Sequence, residues 1–224
     1  MTTLPPSALI AGLLLTVPLR ADVDTSRLSG KWLSQEVPEA ISAPLKAGGM
    51  ECDGYFTIAD KGAVLMHNSK KFKGPIDPSE YDAGLESVKV GYAKAAAKAG
   101  VTLSRSEILN KDGIRLLHQE HVQDGVVRVV LNQMNPTSIE QISLTAPAAD
   151  RDALVAEAYD LFHPLPSSAQ APATAAAAPP VTSADEPSDA YKFGHKMGVI
   201  SFAVLMVALV LKLCGVMKFS KGSR

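Results

Sequence analysis

His118 and His121 flank Gln119-Glu120, and these residues come nearest to a metal-ligand set in the chain. The pattern differs from the HExxH signature of zinc proteases, in which two histidines four apart share one helix face. Here the spacing is three, inside a run that reads as a strand. Successive strand side chains alternate between faces, so 118 and 121 point apart while His118 and Glu120 share a side. A metal on that pair needs further ligands from elsewhere in the fold. The candidate ligands are therefore His118, Glu120 and His121, and the competing reading is a pair of surface histidines.

Other chemistry is thinly supplied. Cys52 lies between Glu51 and Asp53, with no cation beside it to lower its pKa toward a thiolate. No serine occupies a G-x-S-x-G elbow. Gly48-Gly49 with Lys46 is too sparse for a phosphate-cradling loop. Arg105, Glu107, Arg115 and Glu120 read as strand-surface charges. No catalytic residue and no cofactor site emerges, and the expectation is a non-enzyme. With 22 basic against 23 acidic residues the net charge is -1, which leaves no electrostatic footprint for nucleic acid. Lys70, Lys71 and Lys73 in the stretch Asn68–Ile76 read as a solvated loop.

The elements that would position these residues begin at Gly54. Tyr55–Ala59 and Ala63–His67 are apolar-rich runs separated by Asp60-Lys61-Gly62, the pattern of a hairpin. Asp77 is a good N-cap, Pro78 suits a first helical position and Glu80 completes a capping-box-like pattern. Tyr81, Leu85, Val88, Tyr92, Ala95 and Ala99 then recur at helical spacing, and Gly100 supplies a stop. Gly84 and Gly91 lie nearly on one face, where they allow close approach to a sheet. Val101–Leu109, Ile114–Val122, Val126–Met134 and Ile139–Thr145 are candidate strands. Their connections contain Asp112-Gly113, Asp124-Gly125 and Asn135-Pro136, and Asp-Gly between such runs is a strong hairpin signal. Val127, Val129 and Leu131 alternate with Arg128 and Asn132, which predicts a half-buried strand. A last helix, Ala148–Phe162, carries Leu154, Val155, Ala158, Leu161 and Phe162 on one stripe. Ahead of these, Trp32 reads as a core or edge anchor, and Pro38–Lys46 as a short helix disturbed by Pro44.

The resulting order, β-β-α-β-β-β-β-α, predicts an α+β fold: a mainly antiparallel sheet covered by helices. The long helix DPSEYDAGLESVKVGYAKAAAKAG, followed by the meander and ADRDALVAEAYDLFHPL, resembles the PsbP and DcrB-like domains. The resemblance covers Gly54–Leu165 and rests on element order. It implies an envelope or thylakoid-lumen domain with an accessory or assembly role, and it transfers no binding residue.

Around this domain, taken as 22–165, the composition changes. Residues 166–191 are rich in Pro, Ala, Ser and Thr, a tether that cannot bury enough surface to offset its ordering entropy. Met197–Met217 is almost wholly apolar and, as a helix, reaches roughly the ~30 Å of a bilayer core. Residues 192–218 are therefore expected to be a transmembrane helix, with 219–224 a short basic tail that favours a cytoplasmic C-terminus. Ala8–Leu19 fits the apolar core of a signal peptide over 1–21, although no basic residue precedes it; a membrane-dipping segment or a helix packed on the domain are the alternatives. With a signal, the domain is periplasmic or lumenal; without one, it is cytoplasmic and tail-anchored. The expected partners are the lipid bilayer and a protein in the envelope. The functional expectation is a membrane-anchored accessory or interaction module. A small-molecule or metal-binding domain, or a hydrolase, with a pocket between sheet and helix is the alternative.

Overall fold

Asp124 and Gly125 both have positive φ, 52° and 72°, the geometry of a type I′ turn. That turn matches the right-handed twist of the strands it joins. It links two long strands of a single seven-stranded sheet, and all the strand pairs are antiparallel. The structure, a computed structural model, describes residues 23–111 and 114–162. Its strands are β1 (Leu33–Ser34), β2 (Glu51–Ile58), β3 (Ala63–Lys71), β4 (Arg105–Lys111), β5 (Ile114–Gln123), β6 (Val126–Met134) and β7 (Ser138–Pro147). The helices are α1 (Glu39–Ala47), α2 (Tyr81–Lys98) and α3 (Arg151–Asp160). The sheet order is β1-β2-β3-β7-β6-β5-β4. Thus β7 inserts between the first hairpin and the later meander, and the α+β expectation holds.

The helices cover both faces. On one, Leu65, Leu116, Val129, Leu131, Ile142 and Leu144 pack with Leu154, Val155 and Ala158 of α3 and with Trp32. On the other, Val64, Met66, Leu117, Met134 and Ile139 pack with Ile41 and Leu45 of α1 and with Leu85 and Val88 of α2. Tyr92 and Ala96 of α2 close over Val130. Double coverage corrects the half-buried reading of β6: Val127 through Met134 are all buried, Arg128 and Asn132 included.

Local differences from expectation have local causes. Asp77 caps a single 3-10 turn, Pro78–Glu80, accepting from the Ser79 N–H at 2.8 Å, and α2 starts after it. The buried stripe of α2 runs Leu85, Val88, Tyr92, Ala96, in place of Ala95 and Ala99, because Ala99 is already the C-cap. Gly100, with φ 70°, turns the chain out, and the Val101 N–H bonds Ala96 O at 2.9 Å. Val101 and Leu103 then pack beneath the helix end, so β4 begins at Arg105, later than expected. Asn68–Lys71 is strand, not loop, because it pairs with Ser138–Gln141 of β7. Pro44 sits inside α1 without ending it, and Ile41 and Leu45 anchor that helix to β2 and β3.

Gly84 shows the close approach in α2. A Cβ there would lie 2.7 Å from Met134 Cε, so the glycine is what admits Met134 under the helix. Among the described residues no helix is long and apolar enough to cross a membrane. The expected signal segment, tether and 192–218 span lie outside the described residues.

Candidate functional site

Among the described residues β4 is the last strand of the sheet, and α3 does not reach across it. Between them runs a groove of about 470 Å³, lined by Arg105, Leu109, Asn110 and Lys111 of β4 and by Arg151, Asp152, Val155, Ala156 and Tyr159 of α3. Leu109 and Val155 give it an apolar floor, while Arg105, Lys111 and Arg151, with Asp152 as the one acid of the lining, make its rim charged with an excess of cations. Those cations have neighbours: Arg105 Nε lies 2.5 Å from Glu107 Oε1, and Lys111 Nζ sits 4.5 Å over the Tyr159 ring.

Beneath the groove, β5 supplies His118 and Glu120, which do share a face. The Arg151 guanidinium donates from Nε to Glu120 Oε1 at 2.9 Å and from Nη2 to Oε2 at 2.6 Å, a two-pronged pair. His118 Nε2 lies 3.0 Å from Glu120 Oε2, and its Nδ1 meets the Tyr159 hydroxyl at short range. An ionised carboxylate only accepts, so Nε2 carries the imidazole proton and Nδ1 accepts from Tyr159 O–H. Burial pushes the His118 imidazole down to about 4, with Arg105 and Arg151 adding to it against Glu120. Burial pulls the Glu120 carboxyl upward, but its hydrogen bonds from Arg151 and His118 prevail and hold it below the usual range. Burial also raises the Tyr159 phenol. At neutral pH the set is therefore carboxylate, neutral imidazole and neutral phenol, each spending its hydrogen bonds on the next. It ties β5 to α3 under the groove.

His121 lies on the opposite face, as alternation requires. Its Nε2 is 3.4 Å from Arg128 Nη1, and burial and that guanidinium push it down to about 4. Both histidines are wholly buried, which corrects the surface reading. Glu120, 4 % exposed, is likewise a core group rather than a strand-surface charge. Arg105, Glu107 and Arg115 do lie at the surface as the sequence suggested, Arg105 paired with Glu107 and Arg115 with Asp82 of α2. The Cys52 thiol, half-buried and donating to Gly54 O at 3.5 Å, is raised chiefly by burial, with the nearby Asp53 adding to it.

Sequence reasoning missed Arg151 and Tyr159. The available signal was their stripe: 151, 155 and 159 recur every four residues and bring one helix face to the groove.

No family model matches the chain, and no curated protein matches it. A solved structure, the solution structure of cyanobacterial PsbP (CyanoP) from Synechocystis sp. PCC 6803, is similar to it with a TM-score of 0.40 and 17% sequence identity, covering 65% of this chain and 92% of that one.

Proposed function

We propose that this chain is a non-catalytic protein-interaction module, held at a membrane by its 192–218 segment, that takes an extended segment of a partner along β4. The observation that carries the reading is the combination of an open sheet edge with the groove beside it. A strand added to an edge gains main-chain hydrogen bonds, and side chains on alternate positions find the flanking groove. The apolar floor at Leu109 and Val155 suits an apolar anchor, and the basic rim suits a neighbouring acid. The polar groups below, engaged with one another, set the groove's shape rather than offer a reactive atom to it. The expected role is accessory or assembly work in an extracytoplasmic compartment.

The test is recovery of the native complex from gently solubilised membranes, comparing the wild-type chain with Leu109→Lys and with Arg105→Glu/Lys111→Glu. A stoichiometric partner that is retained by wild type and lost from both variants supports the reading. A partner that survives both variants removes it from this edge, and repeated recovery of the chain alone ends the proposal.

A second reading draws on the groove's size, which falls within the ~300–1,000 Å³ of small-molecule sites. An anionic metabolite would then occupy it. Co-purified small molecules lost on Arg105→Glu/Lys111→Glu, with no protein partner, would favour that reading.

A further inference from the structure

On the same sheet face, away from the groove, β2, β3 and β7 bring together Asp53, His67 and Glu140. One ligating atom from each lies within 4.8 Å of the other two. We propose that these three residues bind a single divalent metal ion of the zinc class, with water completing the coordination.

The sequence arranges this through a register fault. Cys52 pairs with Asn68 and Gly54 pairs with His67, which leaves Asp53 as the extra residue of a β-bulge. A bulge re-aims its side chain, and here it brings the Asp53 carboxylate to His67, where regular alternation would have turned it away. Gly54, directly opposite His67, contributes no side chain, and a Cβ there would meet the Phe56 ring at 2.6 Å. His67 Nε2 lies 2.9 Å from Glu140 Oε2, and Ser138 Oγ donates to Glu140 Oε1 at 2.7 Å. Ser138 thereby orients the ligating carboxylate, as outer-shell partners do.

A second observation points the same way. Gln133 is paired with Glu140 across β6 and β7 and is 3 % exposed, yet its side-chain oxygen has no hydrogen-bond partner among the described residues. A buried acceptor without a donor is costly. A metal-bound water beside Glu140 supplies such a donor. Glu140 is buried, His67 is half-buried and Asp53 is exposed, so the ion has both a sheltered seat and an entry path from solvent. One imidazole nitrogen and two carboxylate oxygens form a donor set that Zn²⁺ accepts at three positions, leaving the fourth for water. The two carboxylates neutralise the ion's charge.

The test uses the full chain in mild detergent, stripped of metal and titrated with Zn²⁺ by calorimetry. A Cys52→Ser background removes a competing thiol. One equivalent is expected to bind and to be lost in His67→Ala. Asp53→Ala, at an exposed position, should weaken affinity by at least the ~10–100-fold typical of an outer-shell loss. Ser138→Ala should fall within that ~10–100-fold range. Mn²⁺ should broaden the resonances of Asp53, His67 and Glu140 before all others. No binding by the parent chain at millimolar Zn²⁺, equal binding in His67→Ala and Asp53→Ala, or Mn²⁺ broadening centred elsewhere would each overturn the assignment.

Discussion

Acid should destabilise this domain through two buried histidines, and His121 isolates the effect. His121 and His118 are both wholly buried, and both are pushed down to about 4 from the ordinary 6.5. A depressed imidazole contributes stability that is fully present above the unfolded value. It is lost as the pH falls from 6.5 toward 4, because only the unfolded chain takes up the proton in that window. At pH 5 an unfolded imidazole is about 97 % protonated, whereas one at about 4 is about 9 % protonated; linkage makes that difference about 2 kcal/mol for each histidine. The pair together therefore removes about 4 kcal/mol, a large share of a typical ~5–15 kcal/mol.

The groups around His121 make it the cleaner of the two. It faces Arg128 at 3.4 Å, with Glu120 as the acid that partly offsets that guanidinium. His118, by contrast, is bonded directly to Glu120 and Tyr159 and lies near Arg105 and Arg151. The perturbation is His121→Gln, which keeps a polar side chain without a titrating ring. Urea unfolding of the full chain in mild detergent, at pH 7.5 and at pH 5.0, gives the slope. The variant should lose about 2 kcal/mol less than wild type on acidification, or about 0.7–2 M less in urea midpoint at a typical slope of ~1–3 kcal/mol/M. An identical loss in both proteins would refute the reasoning, as would a wild type indifferent to pH over this range.

Two further substitutions probe the packing and the clamp beneath the groove. Gly84→Ala gains about 1 kcal/mol of helix propensity while its Cβ meets the sulfur and terminal methyl of Met134, the far end of a flexible side chain that can swing aside, so the two effects should cancel to within about 1 kcal/mol. A loss of several kcal/mol in unfolding free energy would show that Met134 has nowhere to move, and Met134→Val in the same chain should then restore part of it. Glu120→Gln keeps the shape but removes the charge that Arg151 grips at two points. Because the Arg151 side chain is 33% exposed, water takes up part of its charge, and about 2 kcal/mol is expected rather than the ~3–5 kcal/mol of a fully buried pair. An unchanged unfolding midpoint would show that the clamp is not stabilising.

Element order was legible because it rests on short-range signals. Asp124-Gly125, the Asp77-Pro78 start and Gly100 each encode a local backbone conformation, and each does so in the structure. Coverage of the sheet was not legible. Arg128 and Asn132 break the apolar run of β6 and imitate a solvent face, yet α2 lies over them. Strand alternation placed His118 with Glu120 and apart from His121. The depth of those residues and their partners on α3 depend on contacts across 31 and 41 positions, which no window of the sequence contains. Asp53 escaped notice for a related reason: its direction comes from a one-residue register fault visible only once β2 has paired with β3.

The two ends of the sheet differ in a way that bears on the docking proposal. An exposed edge invites indiscriminate pairing, and natural proteins blunt it with short strands or with charges. At one end β1 is two residues long, too short to template a partner. At the other, β4 runs for seven residues and carries Arg105, Glu107 and Lys111. Pairing with an uncharged strand would strip those charges of water without compensation, and like charges across the pair would repel, so β4 is defended against chance pairing but open to a strand with complementary charges. The same residues also line or flank the groove. Selectivity should therefore reside in the rim and affinity in the floor: Arg105→Glu/Lys111→Glu should change which segments bind, and Leu109→Lys should remove binding of them all. If the charge-reversed pair bound its original partner with unchanged affinity at low salt, the rim would have no part in selection and β4 would be an edge protected for solubility alone.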